Sequence, residues 1–329
     1  MLIHIFTTNK CNLNCEYCYV SGLREKKDFD LKSIDNLILF IKTALKRNNS
    51  DKLFVDFFGG EPLLNMVGIN LIIEKLRSNL DIEQVYLLTT NGTLLSDKNI
   101  EFLAKNKFVL SVSLDGLPET HDLNRKFENK SPSWSIIERN IDNLLQVLPH
   151  TTARMTFNTT NVMNLYNNVI FLASRGFKSI KPIPDYFDSN WSNGDFSILQ
   201  DQVEKIVYFQ EENPDLRIPI VKKKLVLQSA CTGGHTTFSI NTNGDIYPCN
   251  YIVGEAQYKL GNINDVDNVK FKHFNRDNES RKKCKGCTYF DSCTSARCIF
   301  MNYKMTKDIS SPNGFFCAYE RLQSSYADV

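Results

Sequence analysis

The sequence predicts an α/β fold, a parallel (β/α)6 partial barrel over residues 1–222 followed by a small cysteine-rich domain over residues 223–329. Two observations carry this prediction. Short β-rich runs alternate with segments of helical periodicity along the first two thirds of the chain, an order that forces parallel strands joined by right-handed crossovers. The ten cysteines fall in two groups, three within the first 18 residues and seven between 231 and 317, with none from 19 to 230.

The strands expected are Leu2 to Thr7, Leu53 to Phe58, Val85 to Thr89, Val109 to Leu114, Ala153 to Asn158 and Ser179 to Ile183. Between them, Ile34, Leu37, Ile38, Ile41 and Leu45 keep one helical face, as do Ile69, Ile72, Ile73, Leu76 and Leu80, and then Ile137, Ile141, Leu144, Leu145 and Leu148. Six such units, rather than the eight of a closed TIM-like barrel, leave one side open, which suits a large substrate. Polar, glycine-bearing motifs follow the strands directly: Gly59-Gly60-Glu61-Pro62, Thr90-Asn91-Gly92 and Asp115-Gly116. Each alone reads as a turn. Together with Cys11, Cys15 and Cys18 they mark one pocket, because sites in parallel α/β folds form where strands end.

Composition narrows the function. With 42% hydrophobic and 23% charged residues the chain is of globular type, and 39 Lys plus Arg against 37 Asp plus Glu leave a formal charge of +2, too balanced for a nucleic-acid partner. No run reaches the roughly 18 apolar residues of a membrane span, and no secretory segment opens the chain, so a cytoplasmic location is expected. Ten cysteines in a reducing compartment point to metal ligation.

Cys11, Cys15 and Cys18 lie in Lys10-Cys11-Asn12-Leu13-Asn14-Cys15-Glu16-Tyr17-Cys18-Tyr19, with no fourth cysteine or histidine nearby to complete a structural zinc site. Three thiolates can hold three irons of a cubane and leave the fourth open to a small molecule. This loop resembles that of the radical S-adenosylmethionine (SAM) superfamily, with gaps of three and two residues and an aromatic, Tyr17, before the last cysteine. The resemblance implies SAM bound at the open iron of a 4Fe-4S cluster and a deoxyadenosyl radical that takes hydrogen from unactivated carbon. It further implies that Gly59, Gly60 and Glu61 hold the SAM amino group, with Pro62 stiffening their turn. The run Ser113-Leu114-Asp115-Gly116, with His121, Asp122 and Arg125, is similar to the strand-four signature of peptide-modifying members. Ser113 and Arg125 would then meet the methionyl end of SAM. A solvated loop accounts for His121, Asp122 and Arg125 equally well.

From Cys231 the chain runs twelve residues to Gly244 and four more to Cys249, then reaches Cys284, Cys287, Cys293, Cys298 and Cys317. This resembles the SPASM pattern, except that four residues rather than three separate Cys293 from Cys298. The resemblance implies one auxiliary 4Fe-4S cluster on Cys284, Cys287, Cys293 and Cys317. A second would rest on Cys231, Cys249 and Cys298, its remaining place taken by His235 or left to substrate.

The relatives so implied oxidise a serine or cysteine of a sulfatase or cross-link ribosomally made peptides. In the sulfatase-maturing group an aspartate follows the second SPASM cysteine as base, whereas here Asn250 stands there, and an amide cannot take that proton. The expectation is therefore a peptide maturase forming a carbon-carbon or thioether bond, with Asp185 and Asp188 as candidate acids and sulfatase-type oxidation as the alternative. A precursor peptide and an external donor of flavodoxin or ferredoxin type are the expected partners, and since only ten residues precede Cys11, leader recognition is expected elsewhere or in a separate leader-recognition protein. An iron-sulfur electron carrier or zinc scaffold is the non-enzymatic alternative.

Overall fold

The computed structural model describes residues 1–23, 26–274 and 284–327. All six expected strands form: β1 (Leu2–Thr8), β2 (Lys52–Gly59), β3 (Glu83–Thr90), β4 (Val109–Ser113), β5 (Thr152–Phe157) and β6 (Ser179–Pro184). Each pairs in parallel with its predecessor, and the sheet does not close. Three short strands extend it beyond the first: β7 (Thr237–Ile240), β8 (Asp245–Tyr247) and β9 (Gly261–Asn262), in the order β6-β5-β4-β3-β2-β1-β7-β8-β9. β7 lies parallel to β1, with Leu2 opposite Thr237, so the sheet runs across residue 222 into the cysteine-rich part.

The connecting helices bury the predicted faces, and several start where side chains satisfy their free N–H groups. In α1 (Ile34–Arg47), Leu37, Ile38, Ile41 and Leu45 are buried with Phe40 and Ala44. In α2 (Met66–Asn79), Asn65 caps the amide of Gly68. After α3 (Asp97–Lys105) and α4 (Pro118–Asn124), the Asp122 carboxylate accepts from Ser133 and Trp134 and opens α5 (Trp134–Val147). Then come α6 (Leu165–Ser174) and the long α7 (Asn193–Glu212), started by a reciprocal Ser192/Asp195 capping box. β6 carries Pro182 and Pro184, as an outer strand can, because one row of its backbone groups needs no ladder partner. Residue Arg217 partly covers that edge through backbone bonds with Lys178 and Ile180.

Two helices, α8 (Ile299–Thr306) and α9 (Gly314–Ser325), end the fold. α9 is locked to the cysteine loop before α8 by one buried carboxylate: Glu320 accepts from Lys222 Nζ at 2.7 Å and from the Thr294 amide at 2.6 Å, while the same ammonium donates to the Ser292 carbonyl at 2.9 Å. No helix among the described residues is long and apolar enough to cross a membrane.

Candidate active site

The C-terminal ends of the parallel strands enclose a cavity of about 330 Å3. Its wall takes in Cys11, Cys15, Tyr17 and Cys18 after β1, Gly59 to Pro62 after β2, Thr90 and Asn91 after β3, and Ser113 and Arg125 with the β4 unit. Asp185, beyond β6, and Asn250 also face it. One side of a single void thus receives motifs that the sequence scatters over nearly 250 positions, because parallel strands all end on the same face.

The cysteine loop is held from two directions. Asn14 N–H donates to Lys126 at 2.7 Å and Glu16 N–H to Asn124 at 3.1 Å, while buried Leu13 bridges to Phe127. On the other side, Asn91 Nδ2 donates to Asn12 at 2.8 Å and lies 3.9 Å from Cys11 Sγ, and Asn12 donates to Thr93. Burial pushes the Cys15 thiol up to about 12, Arg125 partly opposing it while Cys18 and Cys11 reinforce it. Such a thiol ionises only beside added positive charge, which a metal supplies. Three thiols from one loop that all line the same cavity fit an iron-sulfur group, which Cys11, Cys15 and Cys18 would hold. Among the described residues no three His, Cys, Asp or Glu side chains draw together as ligands of a single ion do.

The two glycines after β2 owe their identity to the protein itself. Gly59 has φ +146°, and a Cβ there would stand 2.0 Å from the Thr8 carbonyl oxygen; one on Gly60 would stand 2.2 Å from that of Lys10 and 2.9 Å from Cys11 Cβ. Their backbones press against the start of the cysteine loop, with Gly60 N–H donating to Thr8 and Glu61 N–H to Lys10. Gly60→Ala is accordingly expected to cost about 1–3 kcal/mol of stability and to reduce iron in the first site, seen as a lower melting temperature and a lower iron-to-protein ratio. An unchanged ratio would break the link between this turn and the cysteine loop.

Glu61 is buried, and both its oxygens serve the fold: they accept from Thr90 Oγ1 at 2.8 Å, Leu63 N–H at 3.1 Å and Asn91 N–H at 2.6 Å. Burial raises its pKa to about 7, against the pull of those three donors. Glu61 thereby ties the β2 loop to the β3 loop.

Asp115, His121 and Arg125 are buried, which removes the solvated-loop alternative for the last two. Asp115 accepts from Arg125 Nη2 at 3.1 Å, from the Thr156 amide at 3.0 Å and from the Tyr17 hydroxyl, and Arg125 Nε lies 3.0 Å from its second oxygen. The guanidinium also covers the Tyr17 ring at 5.2 Å. Burial opposes the Arg125 charge, but Asp115, Tyr17 and Cys15 more than offset that and hold its pKa up. His121 is pushed well down by burial and by Arg125, and its neutral ring joins the Asp115 amide to Ser133. Asp122 is the α5 cap described above.

The two candidate acids part company. Asp185 faces the cavity, its carboxyl pushed up by burial and by Asp188 against a bond from Phe187 N–H. Asp188 does not line the cavity; it accepts from the Thr159 amide and hydroxyl at 3.0 and 2.7 Å and from Asn190 N–H, a loop-closing arrangement. Burial resists its ionisation, and those donors more than offset this.

Three further polar residues in the wall escaped sequence reasoning. His4 on β1 and Asp56 on β2 are direct partners in the parallel register, their Nδ1 and Oδ2 2.9 Å apart. Arg154 enters from β5. Alternation along each strand was the available signal: a polar residue between Ile3 and Ile5, or between Val55 and Phe57, has to face the barrel interior. Tyr19 and Tyr251 complete the wall with ring centroids 5.1 Å apart, and Asn250 Nδ2 donates to the Tyr19 hydroxyl at 3.4 Å.

In the second cysteine group, Cys231, Cys249 and Cys298 lie within mutual electrostatic reach. Burial raises Cys249 most strongly and Cys298 to about 11, so these thiols too suit a metal-bearing group. His235 is exposed and packs edge-on against His273, with ring centroids at 5.0 Å. Cys284 and Cys287 share one turn, Cys287 N–H donating to the Cys284 carbonyl at 3.1 Å. The Glu320 lock joins the residue after Cys293 to α9, one turn from Cys317 on that helix.

A cysteine loop at the mouth of an open parallel barrel, continued by a second cysteine-bearing unit, defines a class, and comparison with known proteins agrees. The Radical SAM superfamily model matches residues 5–163 and the SPASM iron-sulfur cluster-binding domain residues 231–288. A Methanocaldococcus jannaschii protein of uncharacterized function is 30% identical, over 85% of this chain and 92% of its own length. The cysteine-type anaerobic sulfatase-maturating enzyme of Clostridium novyi is 27% identical, over 95% and 90%. Among solved structures, anSMEcpe with bound AdoMet superposes with a TM-score of 0.80 at 20% identity, over 99% of this chain and 96% of that one. Streptococcus suis SuiB bound to its precursor peptide SuiA gives 0.66 at 16%, over 96% and 75%. The chain belongs to the radical SAM superfamily and carries a SPASM domain. It is an enzyme whose cofactors are SAM and 4Fe-4S clusters.

Proposed function

We propose that this enzyme modifies a ribosomally made peptide in the cytoplasm, removing hydrogen from one residue and joining it to another through a carbon-carbon or thioether bond. The observation that carries the reading is Asn250, which faces the cavity beside Cys249 and Tyr19 where a sulfatase-type maturase is expected to present a carboxylate. The open side of the barrel supports a polypeptide substrate, as does the precursor peptide held by SuiB.

When bound, the cofactors supply hydrogen-atom abstraction and an acceptor for the second electron. The chain's own part is to exclude water and take a proton. Tyr17, Tyr19 and Tyr251 line the void with aromatic surface, and Asp185, its pKa raised, can hold the proton that leaves as the new bond forms. The His4–Asp56 pair is a second acceptor in the same wall. Cys284, Cys287, Cys293 and Cys317 would hold one auxiliary cluster and Cys231, Cys249 and Cys298 the other, with an external flavodoxin or ferredoxin as donor.

Co-expression with small peptides encoded beside the gene, followed by mass spectrometry, tests this. Loss of two hydrogens per modification, located to a linked residue pair, is the expected result. Sulfatase-type oxidation is favoured instead by the Clostridium novyi relative, and a formylglycine signature on a sulfatase peptide would replace the cross-linking reading with it.

A further inference from the structure

The His4–Asp56 pair offers more than a second place for a proton. Both residues line the cavity from adjacent strands, with Nδ1 and Oδ2 2.9 Å apart. A carboxylate only accepts, so the ring nitrogen facing Asp56 carries the hydrogen and Nε2 is left as the acceptor. Nε2 has no hydrogen-bond partner among the described residues. On its other flank His4 is opposite Ser239 of β7, which adds only a buried hydroxyl, also without a hydrogen-bond partner among the described residues.

The pair sits below the motifs expected to hold SAM. Asp56 precedes Gly59 by three residues, and across the sheet it aligns with Leu87, three before Thr90, and with Val109, four before Ser113. At about 3.3 Å per strand residue, the pair lies roughly 10–13 Å back along the strands from those ends. Phe58, the next residue of β2 on the same face, stands between, its ring centroid 6.0 Å from that of His4. Outside the rim motifs the other ionisable groups of the wall are Tyr19, Arg154, Asp185, Tyr186 and Tyr251, of which Tyr19 is within electrostatic reach of Asp56.

An imidazole so oriented is matched to one kind of proton. Among substrate side chains a thiol, at about 8.5, lies nearest to imidazole at about 6.5, while phenol and ammonium lie near 10 and alkyl C–H bonds far higher. The geometry points to His4 as the catalytic base that takes the proton of a substrate cysteine thiol, with Asp56 as its positioning residue, so that the bond formed is a thioether. The inference rests on the peptide reading above. In that step a C–H bond of the partner residue gives its hydrogen atom to the deoxyadenosyl radical, and the S–H bond gives its proton to His4 Nε2. Sulfur and carbon join, and the electron left over passes to an oxidised iron-sulfur cluster of the SPASM domain, so the peptide loses two hydrogens.

The test uses small cysteine-containing peptides encoded beside the gene, each with its Cys→Ser counterpart, on the anaerobically reconstituted, SAM-loaded enzyme. Without reductant, fluorescence anisotropy should show a cysteine peptide binding about fivefold more tightly than its serine counterpart, a margin absent in His4→Asn. Under reduction, mass spectrometry should locate the new bond at the cysteine sulfur. His4→Asn should slow its formation about a hundredfold at pH 7, with SAM affinity and iron content unchanged. Raising the pH to 9 should recover about tenfold or more of that loss, because the thiol then ionises unaided. Asp56→Asn, which leaves the imidazole in place, should give a smaller loss and guards against a folding defect in the His4 variant.

A cross-link that leaves sulfur out, an unchanged rate in His4→Asn, or a loss that high pH does not relieve overturns the proposal alone. So does a loss of SAM affinity in His4→Asn, which would assign the pair to the cofactor. A wild-type enzyme that modifies none of the peptides overturns the peptide reading, and this inference with it.

Discussion

Cys15→Ala is expected to lower the iron content of the anaerobically reconstituted enzyme from about twelve to about eight per chain and to abolish 5'-deoxyadenosine formation under reduction. The thiol faces the cavity beside Cys11 and Cys18, and alanine offers no atom that could ligate iron in its place. Two remaining thiols would hold a cubane poorly, so the whole first cluster should go. Cys249→Ala provides the contrast: iron should fall by a similar amount, yet SAM cleavage without product should persist, because Cys249 belongs with Cys231 and Cys298 in the other group. Iron analysis and Mössbauer spectra with and without SAM measure the clusters, chromatography of 5'-deoxyadenosine measures SAM cleavage, and mass spectrometry of the peptide measures product. If Cys15→Ala still cleaves SAM, the first cysteine group is not where that cofactor reacts.

Arg125→Met should destabilise the fold by about 3–5 kcal/mol. Asp115 is fully buried, and the substitution leaves its carboxylate with the Tyr17 hydroxyl and the Thr156 amide but no compensating charge. Repeating the measurement in Asp115→Asn separates the ion pair from simple loss of packing: the double variant should lose less than the sum of the single losses. Denaturant midpoints of the reconstituted protein give these values. Strict additivity would mean that the pair is not coupled, and that Arg125 serves the methionyl end of SAM without a structural partner.

Much of the architecture was legible in sequence because the first six strands are local features, runs of β-branched and aromatic residues bounded by polar turns. The later strands were not. β8 has three residues and β9 two, too short for any periodicity, and β7 belongs to the sheet only through pairing with β1, some 235 positions earlier. The continuity of the sheet across residue 222 rests on these strands and so has no local signal.

The site was legible in a different way. Cysteine spacing and the motifs after the strands name the residues, since ligand chemistry restricts which side chains can stand there. Roles are another matter. Gly59 and Gly60 look like cradles for a ligand until the Thr8 and Lys10 carbonyls are seen occupying the space that a side chain would need. His121 and Arg125, readable as solvated, turn out to be buried supports of Asp115, and Asp188 closes a loop while Asp185 reaches the cavity.

Residue chemistry and spacing by themselves determined the kind of enzyme, because three thiols at those intervals and a second cysteine group are properties of the chain taken in order. Only the tertiary structure decided which of the side chains facing the reacting void meet one another. His4 meets Asp56, and Arg154 stands without a counter-ion, through strand register and barrel curvature, which sum contacts across the whole chain and leave no mark on any short stretch of it.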